Sequence, residues 1–432
     1  MGGTINIITM GCSKNLVDSE RLAARAAAAG WDVVFDSNDP GARVVVVNTC
    51  GFIGDAKEES IEMILSLAAA RERGEIDRLY VIGCLSERYA DELRAEIPEV
   101  DACFGARSLD GIVEELGAGH TPATTRVLST PPHYAYLKIS EGCDRRCGFC
   151  AIPLIRGPHV SVPIEELAAE AQALAAGGVR ELIVIAQDTT YYGLDLYGER
   201  RLAELLRRLA AIDGIEWIRL HYAYPAGFPE DVAEAMRDEP KICKYLDIPL
   251  QHIAAGQLRA MKRGHGGDET RALVRRLREA VPGLALRTTM LVGYPGETEA
   301  DFEELLDFVR EARFERLGVF PYSAEEGTYS ADSLADDVPD EVKRQRAERL
   351  MSLQADISAE LNAALVGSTT RVIVDRREGG TWVCRSERDS PEVDGEILVG
   401  APDDALSPGD LITVSITGAD EHDLFATFSR GE

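Results

Sequence analysis

The sequence predicts an α/β protein built in three parts, on the strength of three patterns in its 432 residues. Apolar, β-branched runs alternate with helical stretches over roughly the first 330 residues, which is typical of parallel sheets. The last 65 residues instead hold short strands between Gly, Asp and Pro turns. A Gly/Thr/Pro stretch at 117–125 and a proline pair at 131–132 separate the first two parts. We therefore predict domains over residues 1–125, 133–365 and 368–432.

The first part carries a βαβαβ pattern. Its strands are predicted from apolar runs, and its helices from apolar residues at helical spacing behind an acidic or Ser/Asp start. This alternation predicts a parallel sheet whose strands all end at one edge. The predicted strands cover residues 5–9, 43–47 and 79–82, and the predicted helices cover 18–29 and 55–71.

The second part repeats the same alternation six times. Six βα units in about 190 residues are too few for a closed eight-stranded barrel. They predict an open, partial (β/α)6 barrel whose functional loops gather at the carboxyl ends of the strands. A charged helix over 340–365 follows it. The predicted strands cover residues 136–140, 181–187, 215–221, 245–250, 285–291 and 316–321, with helices between them such as 163–176 and 301–312.

The third part has a different character. Its short apolar segments are separated by turn residues, and no helical periodicity remains between them. This pattern predicts a small antiparallel β-barrel. The predicted strands cover residues 370–374, 382–385, 395–399 and 411–417.

Charge and composition limit the classes of function. The formal net charge is −28, whereas a protein that grips phosphate backbones usually presents a basic face, so broad nucleic-acid binding is not expected. No uncharged apolar run reaches the length of about 18 residues that a membrane span needs. The amino terminus also lacks a charged region with a cleavage site. We therefore expect a cytoplasmic protein without a membrane span, whose nine cysteines stay reduced.

Three cysteines form the sharpest local motif. Cys143, Cys147 and Cys150 lie within eight residues, in the loop after the first predicted barrel strand. Thiolates at this spacing bind zinc or an iron–sulfur cluster. Zinc would need a fourth ligand, and the next candidate, His159, lies nine residues further on. A [4Fe–4S] cluster held by three thiolates would keep one iron open for a ligand, and this interpretation is favoured over a structural zinc loop.

Three other cysteines each follow a predicted strand of the first part. These are Cys12, Cys50 and Cys84. Since the carboxyl ends of parallel strands share one edge, three strand-end thiols are expected to face one another. The alternative for each is an inert buried cysteine, but three equivalent positions favour a second cluster with an open iron. Cys103, Cys243 and Cys384 have no partner spacing and are expected to be buried bystanders.

These features together resemble a known family. A Cys-x3-Cys-x2-Cys loop after the first strand of a partial barrel is similar to that of the radical S-adenosylmethionine enzymes. The three-cysteine domain before it and a TRAM-like small barrel after it resemble the methylthiotransferase branch, over essentially the whole chain. Five segments are similar to the members that modify an aspartate of the small-subunit ribosomal protein uS12, namely residues 11–20, 48–53, 138–143, 152–157 and 385–395.

The resemblance implies two [4Fe–4S] clusters and S-adenosylmethionine as cofactors. The cluster on Cys143, Cys147 and Cys150 would bind S-adenosylmethionine, and its one-electron cleavage would give a 5′-deoxyadenosyl radical that abstracts hydrogen from the aspartate β-carbon. The second cluster would hold the sulfur, which a second S-adenosylmethionine methylates. The resemblance further implies an electron donor such as a flavodoxin or a ferredoxin, and a source of sulfur.

Candidate contacts to the cofactor lie on four residues. Phe149 is apolar where an adenine ring can stack, and Gly293 lies in a turn after the fifth strand that permits close backbone approach. The wider superfamily has a Gly-Gly-Glu-like string after the second strand, but this chain has Ala, Gln187, Asp188 and Thr there. Gln187 and Asp188 are therefore the candidates for the amino end of the cofactor, and no catalytic acid or base is assigned.

The third part discriminates between possible substrates. From Ser368 to Glu432 there are six arginines, no lysines and fourteen acidic residues, a net charge of −8. Such a domain repels phosphates and favours a basic ribosomal protein, so direct RNA binding is not expected. A transfer-RNA methylthiotransferase that acts on a modified adenosine is the alternative with the same chemistry. A two-cluster electron-transfer or redox-sensing protein is the non-enzyme alternative, and it leaves the six βα units and the final barrel unexplained.

Overall fold

The computed structural model describes residues 3–38, 41–107, 109–119, 121–122, 124–400 and 406–428. Three main sheets follow one another along the chain, beside a minor two-stranded ribbon. The predicted α/β class with a parallel-sheet first part, an open partial barrel and a closed final barrel is confirmed. Within the described part of the chain, we find no helix that combines the length and the apolar character needed to span a membrane.

The first sheet has five parallel strands in the order β2-β1-β3-β4-β5, between helices. The three predicted strands are present, while the short edge strands β2 and β5 were not predicted. The elements are β1 (Thr4–Thr9), α1 (Ser13–Ala28), β2 (Asp32–Phe35), β3 (Val44–Thr49), α2 (Gly54–Glu72), β4 (Arg78–Gly83), α3 (Cys84–Glu96), β5 (Ala102–Cys103) and α4 (Asp110–Glu115).

Helix α1 begins five residues earlier than predicted. Its first turns carry polar side chains that suggest a loop, yet Lys14, Asn15 and Asp18 are all buried in the structure. They are buried because this end of the helix packs against the second part of the chain and not against solvent. The helix therefore starts directly after Cys12, which is its N-cap residue.

The second sheet has six parallel strands in the order β13-β12-β11-β10-β9-β6 and stays open between its two edge strands. Helices pack on its outer face to form the largest apolar core. The elements are β6 (Tyr134–Lys138), β7 (Ser140–Glu141), α5 (Ile152–Arg156), β8 (Val160–Ser161), α6 (Ile164–Ala176), β9 (Glu181–Ile185), a 3₁₀ turn (Thr189–Tyr191), α7 (Leu194–Tyr197), α8 (Leu202–Ala210), β10 (Trp217–Leu220), α9 (Glu230–Asp238), β11 (Ile242–Asp247), α10 (Ala255–Ala260), α11 (Gly267–Ala280), β12 (Ala285–Val292), α12 (Glu299–Ala312), β13 (Arg316–Pro321), α13 (Tyr329–Ser333) and α14 (Asp340–Ala363).

The third sheet is a closed five-stranded barrel in the order β14-β15-β16-β18-β17. Four of its pairings are antiparallel as predicted, but β16 and β18 run parallel. The fifth strand, β18, was not predicted. The elements are β14 (Thr369–Glu378), β15 (Thr381–Ser386), β16 (Ile397–Gly400), β17 (Leu411–Ala419) and β18 (Leu424–Phe428).

Buried charges join this small barrel to the amino-terminal ends of the central strands. Arg385 on β15 donates to Glu181 at the start of β9 (2.8 Å) and to Asp375 on β14 (2.6 Å). Glu181 also accepts from Arg219 on β10 at 2.8 Å. The loop after β15 adds a contact from Asp394, which accepts from the hydroxyl of Tyr245 at 2.7 Å. This loop therefore closes the lower end of the open barrel.

We expect Arg385→Met to loosen this junction. The substitution leaves Glu181 and Asp375 buried with one cationic partner fewer, which costs about 3 kcal/mol of unfolding free energy. Urea denaturation followed by tryptophan fluorescence measures the change, because Trp217 and Trp382 lie on the two sides of the junction. Arg371→Met is the matched control, since its pair with Glu216 is exposed and contributes about 1 kcal/mol or less. Equal losses for both variants would contradict the prediction.

Candidate active site

The first three cysteines lie at the carboxyl edge of the first sheet, as predicted. Cys12 caps helix α1, Cys50 follows β3 directly, and Cys84 is the first residue of α3. Two of these cysteines therefore stand at helix amino termini, directly after the sheet edge. Cys84 is buried, Cys50 is half-buried and Cys12 is exposed, so the group opens toward one side.

Close approach of the three loops depends on glycine. A side-chain β-carbon at Gly11, where φ is +89°, would come within 2.8 Å of the Cβ of Cys50. A β-carbon at Gly51 would come within 2.7 Å of the backbone carbonyl of Cys84. Each of these distances is too short for a real contact, so larger residues would push the loops apart. The glycines are what brings Cys12, Cys50 and Cys84 together.

The protonation of these thiols reflects a shared, partly desolvated site. Burial raises the pKa of Cys84 to about 11, the charge of Arg156 opposes this, and charge on Cys12 and Cys50 raises it further. Burial also raises the pKa of Cys50. Thiols that raise one another's pKa are close neighbours. They lose their protons readily only when a metal cation binds in place of those protons.

The second cysteine set lies in the loop between β7 and α5, and backbone hydrogen bonds fix that loop. The amide of Cys143 donates to the carbonyl of Gly157 at 3.0 Å. The amide of Gly148 donates to Met261 at 2.9 Å, and the hydroxyl of Ser330 donates to the carbonyl of Gly148 at 2.7 Å. The loop is thus held from both sides at the upper end of the barrel.

Polar groups surround Cys147 in particular. Arg263 donates to its sulfur at 3.2 Å, and the hydroxyl of Tyr224 lies 3.8 Å from the same atom. Burial raises the pKa of Cys143 to about 12, and burial also raises the pKa of Cys150. The two contacts hold the sulfur of Cys147 in a fixed position, as a metal ligand requires.

The two cysteine sets suit an iron–sulfur cluster better than a single metal ion. Among the residues that the structure describes, no three His, Cys, Asp or Glu side chains converge tightly enough to hold one metal ion. A single zinc ion draws its sulfur ligands to about 2.3 Å. A four-iron cluster instead binds each thiolate through a separate iron, so its thiolates stay further apart.

The four predicted cofactor contacts border the second cysteine set. Gln187 donates to Glu141 at 2.7 Å, and its buried side-chain oxygen has no partner among the described residues. Asp188 accepts from Thr190 and from Arg145 at 2.8 Å, so both of its oxygens are occupied. Phe149 packs against an apolar cluster at the carboxyl end of β12. Gly293 follows β12 directly, with a φ of +71°. All four remain predictions as cofactor contacts.

A buried ion network joins the two cysteine sets. Arg156, at the end of α5, donates to the sulfur of Cys84 at 3.4 Å, to Asn15 at 2.5 Å and to Asp18 at 2.7 Å. Asp18 also accepts from Lys138 on β6. Burial would raise the pKa of Asp18, but Lys138 and Arg156 lower it below its ordinary value. One arginine thus connects the loop of the second set to a thiol of the first.

Helix α1 covers the upper mouth of the central barrel. Leu16 and Val17 belong to one apolar cluster with Tyr134 and Tyr136 of β6. Beside them, Tyr222 follows β10 with a φ of +58°, a conformation that costs energy for a residue with a side chain. Strain at a strand end near converging thiols is typical of a functional site.

Sequence reasoning gave no function to several residues that the structure places in this site. Asn15, Tyr224 and Arg263 contact cysteines directly. Asn15 lies within the segment 11–20 that resembles the family, which was the available signal. The three predicted bystanders do lie apart, because Cys103, Cys243 and Cys384 belong to separate apolar clusters.

We expect Asp18→Asn to destabilise the contact between the first two units. The change leaves the buried Lys138 and Arg156 with Glu141 as their remaining carboxylate partner and costs about 3 kcal/mol, seen as a lower urea midpoint for unfolding. Because the pKa of Asp18 is lowered on folding, its contribution is present above pH 3.8 and is lost as the pH falls below that value. Asp77→Asn removes an exposed partner of Arg43 and should leave the midpoint unchanged. Equal midpoints for Asp18→Asn and the native chain would contradict the prediction.

Comparisons with known proteins agree with the three-part architecture. The chain matches the Radical SAM superfamily over residues 137–309, the uncharacterized protein family UPF0004 over 4–105, and the TRAM domain over 366–428. Among solved structures, it resembles the radical S-adenosylmethionine methyltransferase TsrM from Kitasatospora setae with a TM-score of 0.56 and 14% identity, covering 77% of each chain. It also resembles the cobalamin-dependent radical enzyme OxsB with a TM-score of 0.52 and 11% identity, covering 81% of this chain and 56% of that one. These likenesses concern the fold alone.

Full-length relatives are much more similar. A protein of Bacteroides fragilis is 53% identical over 424 residues, which is 98% of each chain. A protein of Flavobacterium johnsoniae is 54% identical over 425 residues, covering 98% of this chain and 97% of that one. Both are named ribosomal protein uS12 methylthiotransferase RimO. The chain described here belongs to the RimO family of radical S-adenosylmethionine methylthiotransferases.

Proposed function

We propose that this enzyme attaches a methylthio group to the β-carbon of an aspartate in the ribosomal protein uS12. The observation that carries the proposal is the pairing of two three-cysteine sets across one interface, linked through Arg156 to the sulfur of Cys84 at 3.4 Å. Such a pairing suits a reaction that needs a radical centre on one side of the substrate and a sulfur donor on the other. The relatives named for uS12 support the choice of substrate.

Membership of the radical S-adenosylmethionine superfamily implies one [4Fe–4S] cluster and S-adenosylmethionine. We assign that cluster to Cys143, Cys147 and Cys150. We assign a second cluster to Cys12, Cys50 and Cys84; all six cysteines are free of disulfides. When bound, the first cluster and its cofactor supply the radical that removes hydrogen from an unactivated carbon, and the second supplies the sulfur that another S-adenosylmethionine methylates.

The chain's own side chains prepare the first site. Arg263 and Tyr224 contact the sulfur of Cys147 and orient it. We propose that Gln187 accepts a hydrogen bond from the amino group of the cofactor, because its buried side-chain oxygen has no partner among the described residues. Asp188 holds Arg145 beside Cys143, so we propose that it acts through this arginine.

Two neighbouring apolar features are suited to the rest of the cofactor. Phe149 lies at the edge of the cluster that contains Met261, Leu291 and Tyr294, which is a surface suited to an adenine ring. Gly293 leaves the backbone open on the side of its missing side chain at the end of β12.

We propose that helix α1 excludes water from the site. A carbon radical needs a dry site, since side reactions with solvent must be prevented. Leu16 and Val17 of this helix share an apolar cluster with Tyr134 and Tyr136, and we propose that this cluster keeps water out of the barrel mouth. The substrate residue must then enter through the opening on the side of the exposed Cys12.

The final barrel suits a basic protein partner. Four of its arginines are already paired with carboxylates, so they offer little positive charge to a phosphate backbone; these are Arg371, Arg376, Arg385 and Arg388. The acidic residues remain in excess, with a net charge of −8 from Ser368 onward. Ribosomal proteins are basic, and such complementarity speeds the encounter.

Further partners follow from the chemistry. An electron donor such as a flavodoxin or a ferredoxin must reduce the first cluster, and a sulfur source must replenish the second. Both clusters need reduced thiols, so we propose a cytoplasmic location. We also retain the proposed division into residues 1–125 for the sulfur site, 133–365 for the radical site and 368–432 for substrate recognition.

Two clusters with separate duties predict separable losses. We expect about eight irons per reconstituted native chain and about four after Cys50→Ala. Cys147→Ala should abolish reductive cleavage of S-adenosylmethionine, whereas Cys50→Ala should preserve it, because only the first cluster binds the cleaved cofactor. Iron analysis and chromatography of 5′-deoxyadenosine measure these changes.

The control for these losses is Cys243→Ala, because Cys243 is buried in a separate apolar cluster. It should retain all the iron and full cleavage. Only four irons in the native chain, or cleavage by both cluster variants, would disprove the assignment.

The substrate is tested by mass spectrometry. We expect a methylthio group on an aspartate of uS12 after incubation with enzyme, sulfide, reductant and S-adenosylmethionine, because the final barrel is acidic and the protein substrate is basic. Bulk transfer RNA in a parallel reaction should stay unmodified. Modification of the RNA alone would overturn the choice of substrate.

A further inference from the structure

Lys14 is a buried cation without an acidic partner. It lies two residues after Cys12 on α1, and its side chain is 7% exposed. Its ammonium lies 2.9 Å from the centre of the Tyr222 ring at the end of β10. Among the residues that the structure describes, no carboxylate lies within ion-pair distance of this ammonium.

The other buried lysines behave differently. Lys138, at 5% exposure, contacts Asp18 and Glu141. Lys343, at 3% exposure, contacts two aspartates, one at 2.7 Å and the other at 3.2 Å. Buried lysines are almost always paired, because an isolated ammonium loses its hydration without compensation. Lys14 therefore differs from the other two lysines, because it contacts an aromatic ring and no carboxylate of the described residues.

The position of Lys14 indicates where that partner must lie. The ammonium stands between the first cysteine set, next to Cys12, and the upper rim of the barrel at Tyr222. The proposed reaction requires its target carbon in this same gap, within reach of both cysteine sets. On an aspartate, the carboxylate is one bond from the β-carbon, so it enters the gap together with the reacting atom.

Other cations near the gap are already engaged. Burial lowers the pKa of His221 well below its ordinary value, and the charges of Arg219, Arg287 and Lys14 lower it further, which indicates a positive field inside the barrel. The neighbouring arginines each have a carboxylate partner: Arg145 with Asp188, Arg156 with Asp18, Arg219 with Glu181 and Arg287 with Asp247.

We propose that Lys14 binds the side-chain carboxylate of the substrate aspartate and so selects aspartate over asparagine. This inference rests on the proposed function, because it assumes an aspartate substrate. A carboxylate is also present on S-adenosylmethionine, so the two sources need to be distinguished. We assign the substrate's carboxylate, since Lys14 lies on α1 two residues after Cys12 of the first cysteine set, whereas Phe149 lies in the loop of the second set.

Binding of two peptides tests the assignment. One labelled peptide carries the target aspartate of uS12, and the other carries asparagine in its place. Fluorescence anisotropy with reconstituted enzyme, S-adenosylmethionine and no reductant gives both dissociation constants without turnover. We expect the native enzyme to prefer the aspartate peptide by about tenfold or more, and Lys14→Met to bring the ratio near one. Lys14→Arg should recover most of the preference.

A matched control removes a lysine elsewhere. Lys241 donates to the carbonyl of Ile212 at the opposite end of the barrel (3.1 Å), so Lys241→Met changes the net charge equally and should keep the native ratio. Iron content and the absorption of the clusters show that each variant is folded and loaded.

Three results would overturn the inference. An aspartate preference that survives in Lys14→Met removes the role of the ammonium, while the proposed function stands. Weaker binding of S-adenosylmethionine to Lys14→Met with an unchanged peptide ratio assigns the ammonium to the cofactor instead. If the native enzyme neither binds nor modifies the aspartate peptide, the proposed substrate fails and the inference fails with it. An unchanged affinity for S-adenosylmethionine with a lost peptide preference supports it.

Discussion

The buried ion network around Arg156 is the constraint on which the two cysteine sets depend. A reaction shared between two centres requires their separation to be fixed to a fraction of an ångström, because reacting atoms must meet in near-contact geometry. Arg156 provides this by touching Cys84, Asn15 and Asp18 from the loop that carries the other set. Since these three partners are buried, displacing one of them leaves a buried polar group without its hydrogen bond, and the network resists partial opening.

Other ion pairs also join the first unit to the second. Glu20 of the first unit and Glu170 of the second both pair with Arg126. Glu325 of the second unit pairs with Lys57 and Arg88 of the first. Directional ion pairs of this kind set orientation as well as distance, which apolar packing alone does less strictly. They also consume much of the chain's positive charge internally, so a surplus of carboxylates remains for the surface.

Much of the site's location could be predicted from the sequence, and its contacts could not. The parallel topology forces strand ends to a common edge, so the grouping of Cys12, Cys50 and Cys84 followed from the pattern alone. The early start of α1 was missed because its polar residues pair with groups more than a hundred positions away, as Asp18 does with Lys138. The same holds for Lys14, since the absence of a partner is visible only in three dimensions. Short edge strands such as β2 and β5 were missed because edge pairing needs little sequence signal.

The loop after β15 has a consequence for how the protein is made. Its residues complete the lower end of the central barrel, although they follow all six barrel strands in the chain. Until this loop has been synthesised and has packed against the barrel, the barrel lacks its floor and the buried glutamate of β9 lacks Arg385. The central part of the chain is therefore complete only when the third part has folded onto it, so the two cannot become stable independently.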